Sequence, residues 1–278
     1  MKRRFVTPLF AFALTVAMAI NSFGQVTDIV QPSYTVKYTA GSGQPLAMNI
    51  YQPVTESKAT KHPTVIFFFG GGWQQGTPAQ FFPFCAELVK RGMACFIPDY
   101  RVKNRQGTDA VDAIDDARIA VQWVLQHAEE YQVDTTRLYL GGGSAGGHLA
   151  AAVGLIPDSA GKTPDVAGLL LFNPAVNIIP PTADSPVASR LNAMFRNAPE
   201  KYSPSEFIRA DLPDTWIIHG TADKIVPIAS AKQFCAGMKM AGNQCVLHEH
   251  EEQSHGFFNH GRPSYEAVLQ QLLTHLGL

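Results

Sequence analysis

"RLYLGGGSAGGHLAAAVGL", residues 137–155, runs a short apolar segment into a serine enclosed by glycines, then into a run of small helix-forming residues. The strand pattern closes at Gly142, Ser144 follows two positions later and Gly146 two after that. This is G-x-S-x-G in the context that gives it meaning: strand, sharp turn, helix. A serine at such a corner sits on strained backbone, so its neighbours must be small. The helix start behind it offers free N–H groups to a developing negative charge. In a chain with 23 glycines the bare spacing says little. Its context makes Ser144 a candidate nucleophile rather than a plain helix cap.

A serine hydroxyl needs a base, and the base needs an acid to orient it. "TWIIHGTADKIVP" (215–227) places Asp223 in the loop after a strand, and "HEHEEQSHGFF" (248–258) places His255 in the loop after the next. The order Ser144, Asp223, His255 fits the strand–turn–helix nucleophile. Nine histidines compete for the base role. His219 ends a strand and reads as a neutral structural residue. His148, four positions after the serine, falls one helical turn behind it. His248 and His250 share a strand face with Glu252, but no further ligands approach in sequence, so no metal site is expected. Asp211 and Asp214 precede their strand and fall at its wrong end.

Outward from this centre, short apolar runs recur: "TVIFFF" (64–69), "ACFIP" (94–98), "RLYL" (137–140), "GLLLF" (168–172), "TWIIH" (215–219) and "QCVLHEH" (244–250). Most are apolar on both faces, as buried parallel strands are. Helical periodicity falls between them at about 79–91, 109–131, 145–155, 229–241 and 263–276. "SYTVKYTAGSGQPLAMNIYQP" (33–53) reads as an antiparallel hairpin. The pattern predicts an α/β fold: a mostly parallel eight-stranded sheet, an N-terminal antiparallel hairpin and helices on both faces. Residues 174–211, rich in Pro, Asn, Asp and Ser, are too long for an ordinary loop and read as a lid-like insertion.

"VIFFFGGGWQQG" (65–76) ends a strand in three glycines, which marks a place where the backbone itself approaches something closely. With this motif the chain resembles the α/β-hydrolase superfamily, in the esterase branch similar to hormone-sensitive lipase. Among those it is most similar to small bacterial feruloyl and acetyl-xylan esterases. The resemblance spans roughly 34–278 and rests on "GGGW" (70–73), "DYR" (99–101), "GGSAGG" (142–147), "HGTAD" (219–223) with "VP" (226–227), and "SHGF" (254–257). It implies an oxyanion hole made by the main-chain amides of Gly71, Gly72 and Ala145. Trp73 is expected to brace that loop, and Asp99 with Arg101 to form a structural polar pair. The chain departs from the family at Phe69, where histidine is usual, and in lacking the large N-terminal helical cap.

The remaining features bound the function. The chain has 278 residues, 46% hydrophobic and 16% charged, which is ordinary globular composition. Residues 1–24 carry a Lys2-Arg3-Arg4 start, an apolar stretch from Phe5 to Ile20, and small residues Ser22 and Gly24 before Gln25. This is the pattern of a signal peptide, and it predicts an exported protein, periplasmic or secreted, with no membrane span once the signal is removed. Residues 25–33 read as a tether to a catalytic domain at 34–278. Loss of the three cations moves the formal charge from -1 to about -4. No basic run follows, so nucleic acid is a poor partner.

Cys85 and Cys95, like Cys235 and Cys245, bracket a helix-Gly-strand corner. Six or seven helical residues and three strand residues each span about 10 Å, so the partners lie at similar heights. Disulfides and buried free thiols both remain open, because the helix-to-sheet gap decides. Neither metal nor organic cofactor is implied. The reading is a serine esterase acting on a small-molecule or polysaccharide ester with a short or aromatic acyl group. The resemblance points to acetyl or feruloyl esters on plant polysaccharide. The alternatives are a peptidase or amidase of the prolyl-oligopeptidase type, or a non-catalytic binding module on a hydrolase scaffold. The oligomeric state is not readable.

Overall fold

The computed structural model describes residues 31–55, 57 and 59–278. The expected signal peptide and most of the tether lie outside these residues. Among the described residues eight strands form one sheet: β1 (Tyr34–Thr39), β2 (Pro45–Tyr51), β3 (His62–Phe68), β4 (Ala94–Pro98), β5 (Val133–Gly143), β6 (Gly168–Phe172), β7 (Asp214–Gly220) and β8 (Cys245–His250). Their order is β1-β2-β4-β3-β5-β6-β7-β8. β1 and β2 are the antiparallel hairpin, β2 meets β4 antiparallel, and every other pairing is parallel.

Among the described residues the α-helices are α1 (Phe82–Val89), α2 (Lys103–Gln106), α3 (Ala110–Gln126), α4 (Ala145–Leu155), α5 (Ala188–Met194), α6 (Ile228–Met240) and α7 (Tyr265–Leu276). Alternation along the strands sorts the core into two layers. Ile66, Phe68, Leu169, Leu171 and Ile217 face one layer, with side chains of α3, α4 and α6. Val65, Phe67, Leu170, Phe172 and Trp216 face the other, with α1 and α7. Sheet faces covered on both sides explain why these strands carry so few polar residues.

Both cysteine pairs are bonded, with Cα–Cα distances of 5.6 Å for Cys85–Cys95 and 5.4 Å for Cys235–Cys245. Helix and strand thus approach closely enough to resolve the question the sequence leaves open. The expected Asp99–Arg101 pair does not form. Arg101 instead donates to the buried Asp116 of α3 at 2.8 and 2.9 Å. Asp99 takes a two-pronged contact from Arg105 at 2.7 Å. Each finds its partner on a following helical segment, Arg101 on α3 and Asp99 on α2.

Residues 174–211 hold α5 and two single 3-10 turns, Pro199–Tyr202 and Pro204–Phe207. The segment is tied at its rear: Arg196 donates to Asp109 at 2.7 Å and to Asp112 at 3.2 Å, the two residues of the capping box that starts α3. Among the described residues no helix is long and apolar enough to cross a membrane.

Candidate active site

The sequence leaves β5 at Gly143 and enters α4 at Ala145, so Ser144 alone must make the turn. It does so at φ 54°, ψ -117°, a strained conformation for a residue with a Cβ. The close packing behind it requires glycine. A Cβ on Gly146 would meet the Phe68 carbonyl oxygen at 2.0 Å, so α4 lies directly against the end of β3.

The parallel strands bring the other groups to the same edge. His255 Nε2 lies 2.9 Å from Ser144 Oγ, and its Nδ1 lies 2.7 Å from Asp223 Oδ2. Asp223 is further held by the amides of Ile225 and Val226, each 2.9 Å from Oδ1, and by Asn173 Nδ2, 2.7 Å from Oδ2. Burial alone would push this carboxyl up. Hydrogen bonds from His219, His255, the Val226 amide and Asn173 outweigh it and hold the group well below the usual carboxylate range. It stays ionised and fixes the ring that faces the serine.

The competing histidines fall elsewhere. His219 Nε2 sits 2.8 Å from the Val226 carbonyl and 3.4 Å from Asp223, buttressing the acid. His148 is buried in α4 with Nε2 2.8 Å from the Tyr202 carbonyl. His248 lies against Trp216, and His250 is 3.0 Å from Gln271. Among the described residues no group of three or more His, Cys, Asp or Glu side chains is arranged to hold a metal ion.

After β3 the chain folds into a tight loop. The amides of Gln74 and Gln75 return to the Gly71 carbonyl at 3.1 and 3.2 Å. A Cβ on Gly71, at φ 130°, would strike Gln75 O at 2.0 Å, so glycine is obligatory there. The amides of Gly71, Gly72 and Ala145 donate to no acceptor among the described residues. Gly71, Gly72 and Ser144 line one cavity of about 450 Å³. Phe69 braces the loop by burial: its ring stacks on Tyr100 at 4.0 Å, and Tyr100 Oη donates to the Phe69 carbonyl at 2.7 Å. Phe67 takes no part, since it points to the opposite face and stacks on Phe81. Trp73 packs edge-on against His148 and Phe195.

Two further elements of the site escape sequence reasoning. Asn173, just past β6 at φ 46°, gives no motif signal, yet it donates to the acid. Gln80 joins the two loops that carry the chemistry. Gly70 N–H donates to Gln80 Oε1 at 2.6 Å, Gln80 Nε2 to Asn259 Oδ1 at 2.8 Å, and Asn259 Nδ2 to the Gly256 carbonyl at 2.9 Å. A peptide N–H can only donate and a carbonyl only accept, so both side-chain amides have one self-consistent orientation.

A family model described as BD-FAE matches residues 48–238, more than half of the chain. The chain belongs to the BD-FAE family. Within the α/β hydrolases, this BD-FAE member falls among the esterases similar to hormone-sensitive lipase. It is 37% identical to Est2, an esterase of Thermogutta terrifontis solved with propionate bound, at a TM-score of 0.79. That match covers 88% of this chain and 94% of that one. The butyrate-bound form of Est2 matches at 36% identity and a TM-score of 0.78, with the same coverage. Among curated proteins, Esterase LipQ of Mycobacterium tuberculosis is 25% identical over 244 residues, covering 81% of this chain and 56% of LipQ. The BD-FAE chain spans about half the length of the curated relatives it matches.

Proposed function

We propose that this protein is a serine carboxylesterase, and one observation carries the reading. An unbroken hydrogen-bond chain runs Ser144–His255–Asp223 beside three unpaired main-chain amides. Ser144 Oγ attacks the ester carbonyl carbon as its proton passes to His255 Nε2, while Asp223 holds the Nδ1–H. The amides of Gly71, Gly72 and Ala145 receive the oxyanion. On collapse the alcohol leaves with the proton from His255. Water then attacks the acyl-enzyme through the same base, and the acid is released.

Short or aromatic acyl groups suit the site, whose cavity is open and lined largely by glycine, glutamine and asparagine. Est2, with bound propionate and butyrate, supports the short-acyl side of the reading. Export to the periplasm or medium is supported by the N-terminal pattern and by the two disulfides, which persist in oxidising compartments. Acetyl or feruloyl esters on plant polysaccharide follow from the resemblance of the motifs.

The test is a panel of nitrophenyl esters of rising acyl length, acetylated xylan, methyl ferulate and an aminoacyl anilide, assayed with wild type and Ser144→Ala. Efficiency should peak at about two to four acyl carbons, since little apolar surface is available to bury a long chain. Ser144→Ala should lose at least about a thousandfold in kcat. A variant that kept more than about a tenth of the rate would remove Ser144 from the mechanism. Anilide cleavage without ester cleavage would favour the amidase.

A further inference from the structure

We propose that Arg190 forms an anion subsite beside the reacting carbonyl, so that the preferred substrate is an ester carrying its own carboxylate. The inference rests on the serine-esterase reading above and adds a substrate class to it. Arg190 belongs to α5, within the 174–211 insertion, and its guanidinium overlies the oxyanion loop. A Cβ added to Gly72 would meet Arg190 Nη2 at 2.7 Å. The side chain lines the same cavity as Ser144 and His255.

Three observations separate it from an ordinary surface arginine. First, Arg101, Arg105 and Arg196 are all ion-paired, whereas among the described residues no acceptor or carboxylate pairs with the Arg190 side chain. Second, no Asp or Glu lines this cavity, and the two carboxylates in the adjoining cavity that Arg190 also lines, Asp109 and Asp112, are already held by Arg196. Third, the segment is anchored from behind through Arg196 to Asp109 and Asp112, which holds α5 beside the loop. A guanidinium presents a planar fork of donors that matches a carboxylate in two-point contact. Such a contact fits a half-ester of a dicarboxylic acid, with the charge on the acyl side. It equally fits an ester on a uronic-acid-bearing sugar, with the charge on the alcohol side.

The experiment uses two isosteric pairs that differ only in charge. The alcohol-side pair is 4-acetoxybenzoate against 4-acetoxybenzamide. The acyl-side pair is the 4-nitrophenyl monoester of glutarate against its terminal amide. At low ionic strength the wild-type protein should favour the anionic member of at least one pair by about tenfold in kcat/KM, and the pair that responds identifies the side. Salt at about 0.5 M should shrink the preference by screening. Arg190→Gln should abolish it, Arg190→Glu should reverse it and Arg190→Lys should keep part of it. No preference in either pair, or a preference that survives Arg190→Gln, overturns the proposal. So does an equal loss of kcat on all four esters, which would make the cation an aid to the oxyanion. If the wild type hydrolysed none of the four, the esterase reading would fall with it.

Discussion

His148 shows how one side chain near a nucleophile acquires a role outside the chemistry. Its Nε2–H donates to the Tyr202 carbonyl, its Nδ1 has no partner, and its ring meets Trp73 and Phe195 edge-on. Burial pushes it down from 6.5 to about 4, with the Tyr202 contact pulling weakly the other way. Between these values the unfolded chain takes up a proton that the folded protein refuses, so stability falls as pH drops through 6.5 towards 4. The full effect is about 3 kcal/mol. His148→Gln retains an N–H for Tyr202 and does not titrate. Urea denaturation at pH 7 and pH 4.5 should therefore show a clearly larger acid loss in wild type. Parallel losses in the two proteins would place the acid sensitivity elsewhere.

At the scale of elements, the loop after β3 is the part whose support differs from the family pattern. Phe69 takes the place of a polar brace with an aromatic stack on Tyr100 and a hydrogen bond on its carbonyl. Phe69→Ala opens a cavity under the loop and should cost about 3–5 kcal/mol, with some loss of kcat. Phe69→His places ring nitrogens in an apolar pocket and should also destabilise, by about 1–3 kcal/mol for an unpaired polar group. Its kcat should stay within about tenfold of wild type, because the oxyanion donors are main-chain groups. A hundredfold gain in kcat, measured on nitrophenyl acetate, would mean that the wild-type loop is misplaced. α4 and the apolar strands β3, β4, β6 and β7 announce themselves because each is a local run of small or apolar residues buried along almost its whole length. Ser144, Asp223 and His255 were legible because each sits at a fixed offset from a strand end. The Arg101–Asp116 pair and the Gln80–Asn259 contact were not, since no periodicity links residues that only the folded chain makes neighbours. The 15-residue gap in the first and the 179-residue gap in the second carry no signal of their own.

Across the whole molecule the reactive groups stand in strand order. β3 delivers the oxyanion loop, β5 the nucleophile, β6 Asn173, β7 the acid and β8 the base. The Cys235–Cys245 bond fastens β8, at the sheet edge, to α6. A disulfide closing so short a loop contributes about 3 kcal/mol. β5 and β8 are three strand positions apart, about 14 Å at ordinary spacing, yet His255 and Ser144 are separated by 2.9 Å. The β8 loop spans that distance across the ends of β6 and β7. The sheet therefore works as a caliper with one measuring arm. Any change in strand spacing between β5 and β8 is read out at the jaw, as a longer or shorter gap between base and nucleophile. The strands on the other side, β1, β2 and β4, lie outside the arm. A cavity opened beneath β7 by Trp216→Leu should lower kcat as well as stability, whereas one opened beneath β2 by Met48→Ala should lower stability alone. Equal kcat losses in the two, at matched fractions folded, would mean that the gap is set within the loops. Drift in this protein's core is then tolerated on one wing of the sheet and felt as lost rate on the other.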